Sequence, residues 1–362
     1  MSIRLENVGL RMEADPWLTG IDLTLEPGRL YVLLGRTGAG KTSLMRVLAG
    51  LDRPTEGRVT EGGRDLSKVP VNKRNLAFVY QQFVNYPAFT VYDNIAAPLR
   101  RQGRSRDEID ARVRAVARSV RIDALMERKP AALSGGQQQR LAIARALAKE
   151  ASLMLFDEPL VNLDYKLREE LRAELRAIFH EGRQTVVYAT TEPDEALQMG
   201  GETIVLHEGR VLQKGPTHQV YRRPASTLVA DIFSEPPMNV AEARITGGRM
   251  TLGGIEIDAP AHALGRIEGP CRIGLMPHRI EREPAPGRVA LRGPVLLAEV
   301  DGSSTFTHFE AGGTPWIART EGVRLMPLGA AFEGFVSPDD FYVFDAAGDL
   351  VAAPAAAESV YG

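Results

Sequence analysis

The chain has 362 residues, a formal net charge of −2, 44% hydrophobic residues and a single cysteine, Cys271. This length favours two domains, the near balance of charge argues against a nucleic-acid partner, and one cysteine excludes an intramolecular disulfide and fits a reducing compartment. The first residues alternate like a strand without the apolar centre of a signal peptide, and no apolar run in the sequence is long enough to span a bilayer. We therefore expect a soluble globular protein that acts at a membrane only through partners that cross it.

The N-terminal region predicts two antiparallel strands. Residues 2–8 and 21–25 alternate apolar and polar side chains, which is typical of strands with one covered face. Met12 and Trp17 are expected between them. Trp17 is a candidate to stack on an adenine ring, and packing of a large apolar residue against a strand is the equally open alternative.

The next segment carries a phosphate-binding pattern. Residues 30–34 are an apolar run that predicts a buried strand, and residues 42–48 predict a helix. Between them, Gly35-Arg36-Thr37-Gly38-Ala39-Gly40-Lys41-Thr42 fits G-x-x-x-x-G-K-[ST], a P-loop whose backbone N–H groups close around an oxyanion at a helix N-terminus. We expect Lys41 to reach the β- and γ-phosphates and the Thr42 hydroxyl to bind Mg²⁺. The predicted ATP-binding residues here are Gly35, Arg36, Thr37, Gly38, Ala39, Gly40, Lys41, Thr42 and Ser43.

A second predicted strand, residues 76–80, ends at Gln81. A glutamine at the carboxyl edge of a strand beside the P-loop is a candidate Mg²⁺ ligand and water-positioning group, and a solvated loop residue is the alternative. Farther on, residues 105–108 have the S-x-x-E form of a capping box. The residues that then recur at helical spacing are Ile109, Val113, Val116 and Val120.

A second anion-seeking helix start follows at Leu133-Ser134-Gly135-Gly136-Gln137-Gln138-Gln139-Arg140, which we call the signature segment. A serine and two glycines precede a helix predicted over residues 138–149, so free N–H groups and the positive end of the helix dipole would face an anion. One ATP can use both helix starts only if the second comes from another molecule.

Two adjacent carboxylates end the next apolar strand, residues 153–156. Parallel α/β sheets bind ligands at this end of their strands. Asp157 suits the Mg²⁺ shell, and Glu158 suits a base that polarises the attacking water. Asp164 then opens a helix that we predict to run to about residue 179.

The order of P-loop, Gln81, residues 133–137, Asp157-Glu158 and Asp164 resembles the ATPase subunits of ABC transporters. The resemblance implies an α/β P-loop NTPase domain over residues 1–235, with a helical subdomain at about 86–140. It also implies a head-to-tail dimer in which ATP lies between one subunit's P-loop and the other's signature segment. The predicted contributors to ATP binding on that second side are Ser134, Gly135, Gly136, Gln137 and Asp164.

One departure from the family pattern concerns the residues after the predicted strand 185–189. Importers of this family carry Thr-His-Asp there, and the histidine contacts the γ-phosphate, whereas this chain has Thr190-Thr191-Glu192. Thr191 offers one hydrogen bond without the reach or charge of an imidazole. Val161 also replaces a common serine. We therefore expect a weakened catalytic role for Thr191 and a heterodimer with a second, complete ATPase subunit, a homodimer being the alternative.

Beyond the proline-rich stretch at residues 235–237, the composition shifts to glycine, proline and short alternating strands. This pattern predicts a small all-β, OB-like barrel over residues 236–362. Residues 272–280 resemble the G-x-R-P-E-H segment of the C-terminal domain in sugar-importer ATPases, but Met276 replaces the arginine and the glutamate is absent. We therefore favour a dimerising and regulatory barrel over a ligand site.

The C-terminal resemblance places the chain with importers of the maltose and glycerol-3-phosphate type. Residues 79–87 and 190–193 look most like one ATPase of the two-ATPase glycerol importer. The implied partners are two polytopic permease subunits and, indirectly, an extracytoplasmic solute-binding protein, with this chain peripheral on the cytoplasmic face of the inner membrane. The open alternatives are import of glycerol-3-phosphate or an oligosaccharide, a mainly non-hydrolytic regulatory subunit, and a non-transport ATPase acting on DNA or ribosomes.

Overall fold

The computed structural model describes residues 1–13, 15–161 and 163–355, so Asn162 lies outside the described residues. The chain divides into two compact units, Met1–Thr217 and His218–Gly362. This division falls before the predicted boundary at residues 235–236, because two helices that precede the boundary pack within the second unit. The predicted boundary between the two family domains stays a prediction.

Among its described residues, the first unit contains ten strands in two sheets. The four-stranded sheet has the order β2-β1-β4-β5, and the six-stranded sheet, called the central sheet, has the order β10-β9-β3-β8-β7-β6. The strands are β1 (Ile3–Met12), β2 (Asp15–Leu25), β3 (Leu30–Leu34), β4 (Glu56–Glu61), β5 (Arg64–Asp65), β6 (Leu76–Val79), β7 (Leu153–Asp157), β8 (Thr185–Thr190), β9 (Glu202–His207) and β10 (Arg210–Pro216).

The first two strands are longer than the sequence pattern indicates. Met12 and Trp17 lie within β1 and β2, so the prediction that they lie between two strands was wrong. The reason is that the β1–β2 pairing continues past the alternating segments through several register shifts, which period-two alternation does not reveal.

The described part of the first unit contains six α-helices: α1 (Lys41–Ala49), α2 (Val91–Arg101), α3 (Arg106–Ser119), α4 (Gly135–Ala148), α5 (Tyr165–Glu181) and α6 (Pro193–Met199). The predicted capping box of α3 is confirmed, since Ser105 and Glu108 bond reciprocally. α4 starts in the same way at Ser134 and Gln137. The predicted start of this helix at residue 138 was wrong by three residues. Gly135 and Gly136 lie inside α4, because the capping box of Ser134 and Gln137 forms its first turn.

The central sheet decides where the functional residues lie. β6, β7, β8, β3 and β9 run parallel, so their carboxyl ends share one edge. The α1 helix packs on an apolar core formed by both sheets; its fully buried members include Leu44, Val47 and Leu155. Burial of this layer holds the strand ends in fixed positions.

The second unit is rich in strands. After α7 (Thr217–Arg222) and α8 (Thr227–Ile232), its strands are β11 (Asn239–Thr246), β12 (Arg249–Leu252), β13 (Ile255–Asp258), β14 (Gly269–Leu275), β15 (Val289–Val300), β16 (Ser304–Ala311), β17 (Thr314–Glu321), β18 (Ala331–Val336), β19 (Tyr342–Phe344) and β20 (Leu350–Ala352). They form two antiparallel sheets of orders β13-β12-β11-β14-β19-β20 and β17-β16-β15-β18.

Met276 lies in an apolar cluster of the second unit together with Ala230, Met238, Tyr342 and Phe344, and only 5% of its surface is exposed. Ala230 lies on α8, which explains why this helix groups with the second unit. The residue in the position of the family's arginine therefore packs in a core, where a charged side chain would be costly.

Candidate functional site

The residues that follow the parallel strands meet in a pocket of about 260 Å³. β3 leads into the P-loop, β6 leads to Gln81, and β7 leads to Glu158. The pocket is lined by residues 37–43, Gln81, Glu158 and Trp17, whereas Gly35 and Arg36 of the predicted ATP-binding residues do not line it. Right-handed crossovers place loops from separate parallel strands at the same edge, so one pocket collects residues that are far apart in the chain.

Backbone geometry shapes the P-loop. Gly38 and Gly40 have φ angles of 84° and 98°, which L side chains rarely adopt. A Cβ atom on Gly35 would lie 2.5 Å from the Leu206 carbonyl oxygen, so the loop passes too close to β9 for any side chain there. These constraints account for the glycine positions of the motif.

Lys41 is folded back over this loop. Its side chain is only 4% exposed, and Nζ donates to the carbonyl oxygens of Gly35 at 2.7 Å and of Arg36 at 3.3 Å. A buried ammonium requires such partners because desolvation of an unpaired charge is costly. The loop backbone thus holds the cation in the wall of the P-loop pocket, where it can meet a phosphate.

Asp157 does not line the P-loop pocket itself but contacts Thr42, which does. Thr42 Oγ1 donates to Asp157 and lies 2.9 Å from Oδ2 and 3.2 Å from Oδ1. Burial raises the pKa of Asp157, while the Thr42 hydrogen bond and the Lys41 charge oppose this rise. No cluster of three or more His, Cys, Asp or Glu side chains suited to a metal occurs among the described residues. A hydroxyl beside one carboxylate fits Mg²⁺, which binds a few protein oxygens together with substrate phosphates.

Glu158 lies at the centre of the polar cluster. Its Oε1 is 3.1 Å from Lys41 Nζ, and its Oε2 accepts a hydrogen bond from Gln81 Nε2 at 3.2 Å. Its φ of 46° is unusual for a residue other than glycine, and its N–H donates to the Ala189 carbonyl oxygen at 3.1 Å. Strained backbone of this kind is concentrated at functional sites. The sequence motif predicts the carboxylate but not this strain.

The residues after β8, Thr190 to Glu192, are called the switch segment. Thr191 lines a small pocket together with Glu158, so two of the three predicted catalytic residues lie together there. The third, Gln81, contacts Glu158 from the P-loop pocket. Below it, the buried Glu195 carboxylate accepts hydrogen bonds from the hydroxyls of Tyr188, at 2.7 Å, and Thr190. The switch segment is therefore anchored from inside the fold.

Arg168 and Glu192 are functional candidates that sequence reasoning missed. Arg168 Nη1 donates to Glu192 Oε1 at 2.7 Å, and both residues line the small pocket that contains Glu158 and Thr191. The only signal in the sequence is their opposite charge. Since α5 and β8 separate them along the chain, no local pattern indicates that they pair.

The signature segment and Asp164 form the starts of two helices and do not line the P-loop pocket. Ser134 Oγ accepts from the Gln137 N–H at 3.3 Å, and Gln137 Oε1 accepts from the Ser134 N–H at 3.0 Å. Asp164 caps α5 by accepting from the Leu167 N–H at 3.0 Å. The described residues that line the P-loop pocket include no member of the signature segment and do not include Asp164. The predicted residues concerned are Ser134, Gly135, Gly136, Gln137 and Asp164. Their predicted contact with ATP thus stays a prediction.

Trp17 lines the P-loop pocket and is 49% exposed. A packing residue in the core would be largely covered, so the aromatic face is available beside the phosphate-binding loop. Stacking on adenine stays a prediction.

Comparison with known proteins agrees with the family resemblance of the sequence motifs. A family model described as "ABC transporter" matches residues 18–161. The sn-glycerol-3-phosphate import ATP-binding protein of Cupriavidus pinatubonensis is 36% identical, over 90% of this chain and 92% of that protein. The sulfate/thiosulfate import ATP-binding protein of Bacillus cereus is 33% identical, over 95% of this chain and 98% of that protein.

A similar solved structure is a dimeric post-hydrolysis state of an ATP-binding cassette bound to ADP and Pi. It is 30% identical, has a TM-score of 0.54, and covers 59% of this chain and 98% of that chain. Among the described residues, no helix combines the length and apolar character needed to cross a bilayer.

Proposed function

We propose, from the premise that this chain belongs to the ATP-binding subunits of ABC importers, that its ATPase activity drives uptake of a small polyol or sugar. The observation that carries this proposal is the meeting of the P-loop, Gln81 and Glu158 in one pocket at the carboxyl edge of the central sheet. Glycerol is the first candidate solute, on the resemblance of residues 79–87 and 190–193. sn-Glycerol-3-phosphate is the second, because a 36% identical relative bears that substrate in its name; an oligosaccharide is the third.

Each group in the site has a role that its position supports. Lys41 would bind the β- and γ-phosphates and offset the charge that develops during transfer. Thr42 and Asp157 would hold Mg²⁺, with Gln81 as a further ligand, and the chemistry that the bound ion supplies is neutralisation of charge on the phosphate oxygens. Glu158 would orient the water that attacks the γ-phosphate in line and would accept its proton.

The proposed working form is a dimer that encloses ATP between two subunits. The N-capped start of α4 at Ser134 would receive the phosphates bound by a partner, and Asp164 would approach the same interface. This arrangement is supported by the lining of the P-loop pocket, which the signature segment of the same chain does not reach among the described residues. We favour a heterodimer because Thr191 weakens this chain's own site while its signature segment is intact, and a homodimer is the alternative.

A groove next to the Gln81 strand supports docking of a permease. Its volume is about 610 Å³, and its floor includes Phe78, Tyr86 and Pro98. The cations that line it are Lys73, Arg74, Arg101, Arg145 and Lys149, and none of the described lining residues is acidic. An amphipathic segment with carboxylates, from the cytoplasmic side of a permease, would complement this groove. Such docking would place the chain peripherally at the cytoplasmic face, with the solute-binding protein acting from the other side.

A second candidate function is a largely non-hydrolytic regulatory subunit, and the observation that favours it is Thr191 beside Glu158. For the C-terminal unit we propose a regulatory and dimerising role and an OB-like barrel. Burial of Met276 in an apolar cluster argues against a ligand site at that position.

The test is purification of the tagged chain with its associated membrane proteins, followed by ATPase and solute-uptake assays. We expect two polytopic proteins and a second ATPase to co-purify, and we expect glycerol to stimulate turnover. A chain that purifies without polytopic proteins and binds DNA or ribosomes would contradict the proposal. Full turnover by the isolated chain would contradict the heterodimer.

A further inference from the structure

Arg168 connects two segments that flank the reacting end of the site. It lies in the first turn of α5, which follows the Asp157-Glu158 strand by way of Leu160 and Leu163. Its Nη1 donates to Glu192 Oε1 at 2.7 Å, and its Nη2 donates to the Leu163 carbonyl oxygen at 3.4 Å. One guanidinium therefore bridges the segment after β7 and the switch segment after β8.

The Glu192 side chain accepts from Arg168 rather than capping its own helix. It occupies the N-cap position of α6, yet its side chain makes no capping hydrogen bond there and turns to Arg168 instead. Its own N–H donates to Thr190 Oγ1 at 3.0 Å. The Arg168 side chain is 22% exposed and that of Glu192 is 40% exposed, so water screens the ion pair only in part.

Thr191 lies between two anchored residues. On one side, Thr190 is hydrogen-bonded to the buried Glu195, and Arg172 Nε lies 3.7 Å from the same carboxylate. On the other side, Glu192 is held by Arg168. The small pocket beyond Thr191 contains Glu158, so movement of the switch segment would change the distance between the side chains of Thr191 and Glu158.

We infer that Arg168 is a positioning residue that, through Glu192, holds the switch segment against Glu158 in the geometry required for hydrolysis. The threonine side chain at position 191 is short and its χ1 angle is restricted. If the backbone of the switch segment moves, this side chain cannot rotate or extend to restore its position, so the backbone itself must be held in place. The guanidinium suits the task since its planar fork can serve two acceptors at once, which a lysine ammonium does less well. This inference rests on the proposed ATPase function.

The experiment compares Arg168→Gln, Glu192→Gln and the double variant in an assembled transporter whose second ATPase is inactivated in its own P-loop. Turnover, measured over a range of ATP concentrations, then reports this chain's site. We expect each single variant to lower kcat by about 3- to 10-fold, with KM for ATP changed less than about twofold, because binding and positioning are separate steps. We expect the double variant to lose about as much as the more affected single variant, since both changes remove one contact.

The matched control is Glu170→Gln, which lies on the same helix and removes a 2.7 Å contact to Arg121. This control should leave kcat unchanged. Unchanged kcat in both single variants, or losses that multiply in the double variant, would overturn the inference. Because unfolded chains would also lower the apparent kcat without changing KM, turnover is divided by the fraction of chains that bind ATP, which titration measures.

A second measurement separates failure of the inference from failure of the proposed function. If the wild-type assembly hydrolyses no ATP, the proposed function is wrong, and the ion pair is then tested by hydrogen exchange in the purified full chain. Arg168→Gln and Glu192→Gln should each speed exchange of the Glu192 and Ala196 amides by about tenfold, whereas Glu170→Gln should not. Unchanged exchange at these amides would overturn the inference without reference to activity.

Discussion

Lys41 Nζ lies 3.1 Å from Glu158 Oε1, and the two side chains are 4% and 16% exposed. The cation proposed to bind phosphate and the carboxylate proposed to orient water therefore belong to one shielded polar cluster. Charges in such surroundings interact more strongly than in water. A change to either residue is expected to alter the other's surroundings, so their variants should be read as a pair.

Replacing Lys41 with alanine should weaken ATP binding by at least about tenfold, which corresponds to about 1.4 kcal/mol. The change removes the ammonium that the Gly35 and Arg36 carbonyl oxygens hold over the loop. Fluorescence titration with a nucleotide analogue measures the effect. Lys68→Ala, at an exposed position, is the control. Equal affinities of Lys41→Ala and wild type would remove the role given to Lys41.

Glu158→Gln should abolish most turnover, by about 100-fold or more, while ATP still binds. Glutamine keeps the shape of the side chain but cannot accept the proton of the attacking water. Release of phosphate by an assembled transporter whose second ATPase is inactivated in its own P-loop, measured beside ATP affinity, separates the two effects. Glu208→Gln is the control because Glu208 is 84% exposed. Turnover within twofold of wild type would show that another group is the base.

Asp157→Asn should raise the melting temperature at neutral pH in the absence of nucleotide. Burial raises the pKa of Asp157 in the folded chain, so its contribution to the free energy of unfolding is fully present below the unfolded pKa and is lost as pH rises through the folded pKa. The advantage of asparagine should therefore shrink as the pH falls from neutral towards about 4. Asparagine should also weaken Mg²⁺-dependent ATP binding. Thermal melts across this pH range test the sign, and a constant difference would refute it.

Thr191→His should increase turnover at this chain's own site by several-fold. The imidazole adds the reach and the charge that threonine lacks. Single-turnover hydrolysis by the assembled transporter, with the second ATPase inactivated in its own P-loop, measures the change, and Thr191→Ser, which keeps the hydroxyl, is the matched control. A rate that stays at the wild-type value would show that position 191 does not limit hydrolysis.

The charge of the 610 Å³ groove can be tested at its exposed edge. Lys73→Glu combined with Arg101→Glu should reduce co-purification of the permease by at least about fivefold, because the change places like charges opposite the expected carboxylates. ATP binding by the free chain should be unaffected, since neither residue lines the P-loop pocket. Arg118→Glu combined with Lys68→Glu, two exposed positions that do not line the groove, controls for the same change in net charge. Normal permease recovery by the double variant would place the docking surface elsewhere.

Local signals in the sequence predict much of this molecule correctly. The P-loop lies between β3 and α1 as expected, and the α3 capping box forms with both of its hydrogen bonds. These features depend on residues a few positions apart, so they can be recognised without knowledge of the fold. The continuation of the β1–β2 hairpin through Trp17 was missed because register shifts interrupt its alternation.

The contacts that surround Glu158 could not be predicted in the same way. Its partners Lys41 and Gln81 come from two different strand ends, and Arg168 reaches Glu192 across the whole of α5 and β8. The positive φ of Glu158 also has no counterpart in the sequence, where an acidic pair after an apolar strand is compatible with ordinary backbone.

The amino-acid sequence alone determined the chemistry available to this protein: a glycine-rich phosphate loop, a capped second helix start, adjacent carboxylates, and a threonine in place of a histidine. Only the tertiary structure decided which of these groups meet. Lys41, Gln81, Glu158 and Thr191 come together because parallel strands deliver their following loops to one edge, while Arg168 and Glu192 pair because packing brings α5 beside the end of β8. Chemical type is a property of each residue, whereas proximity depends on the packing of the whole sheet.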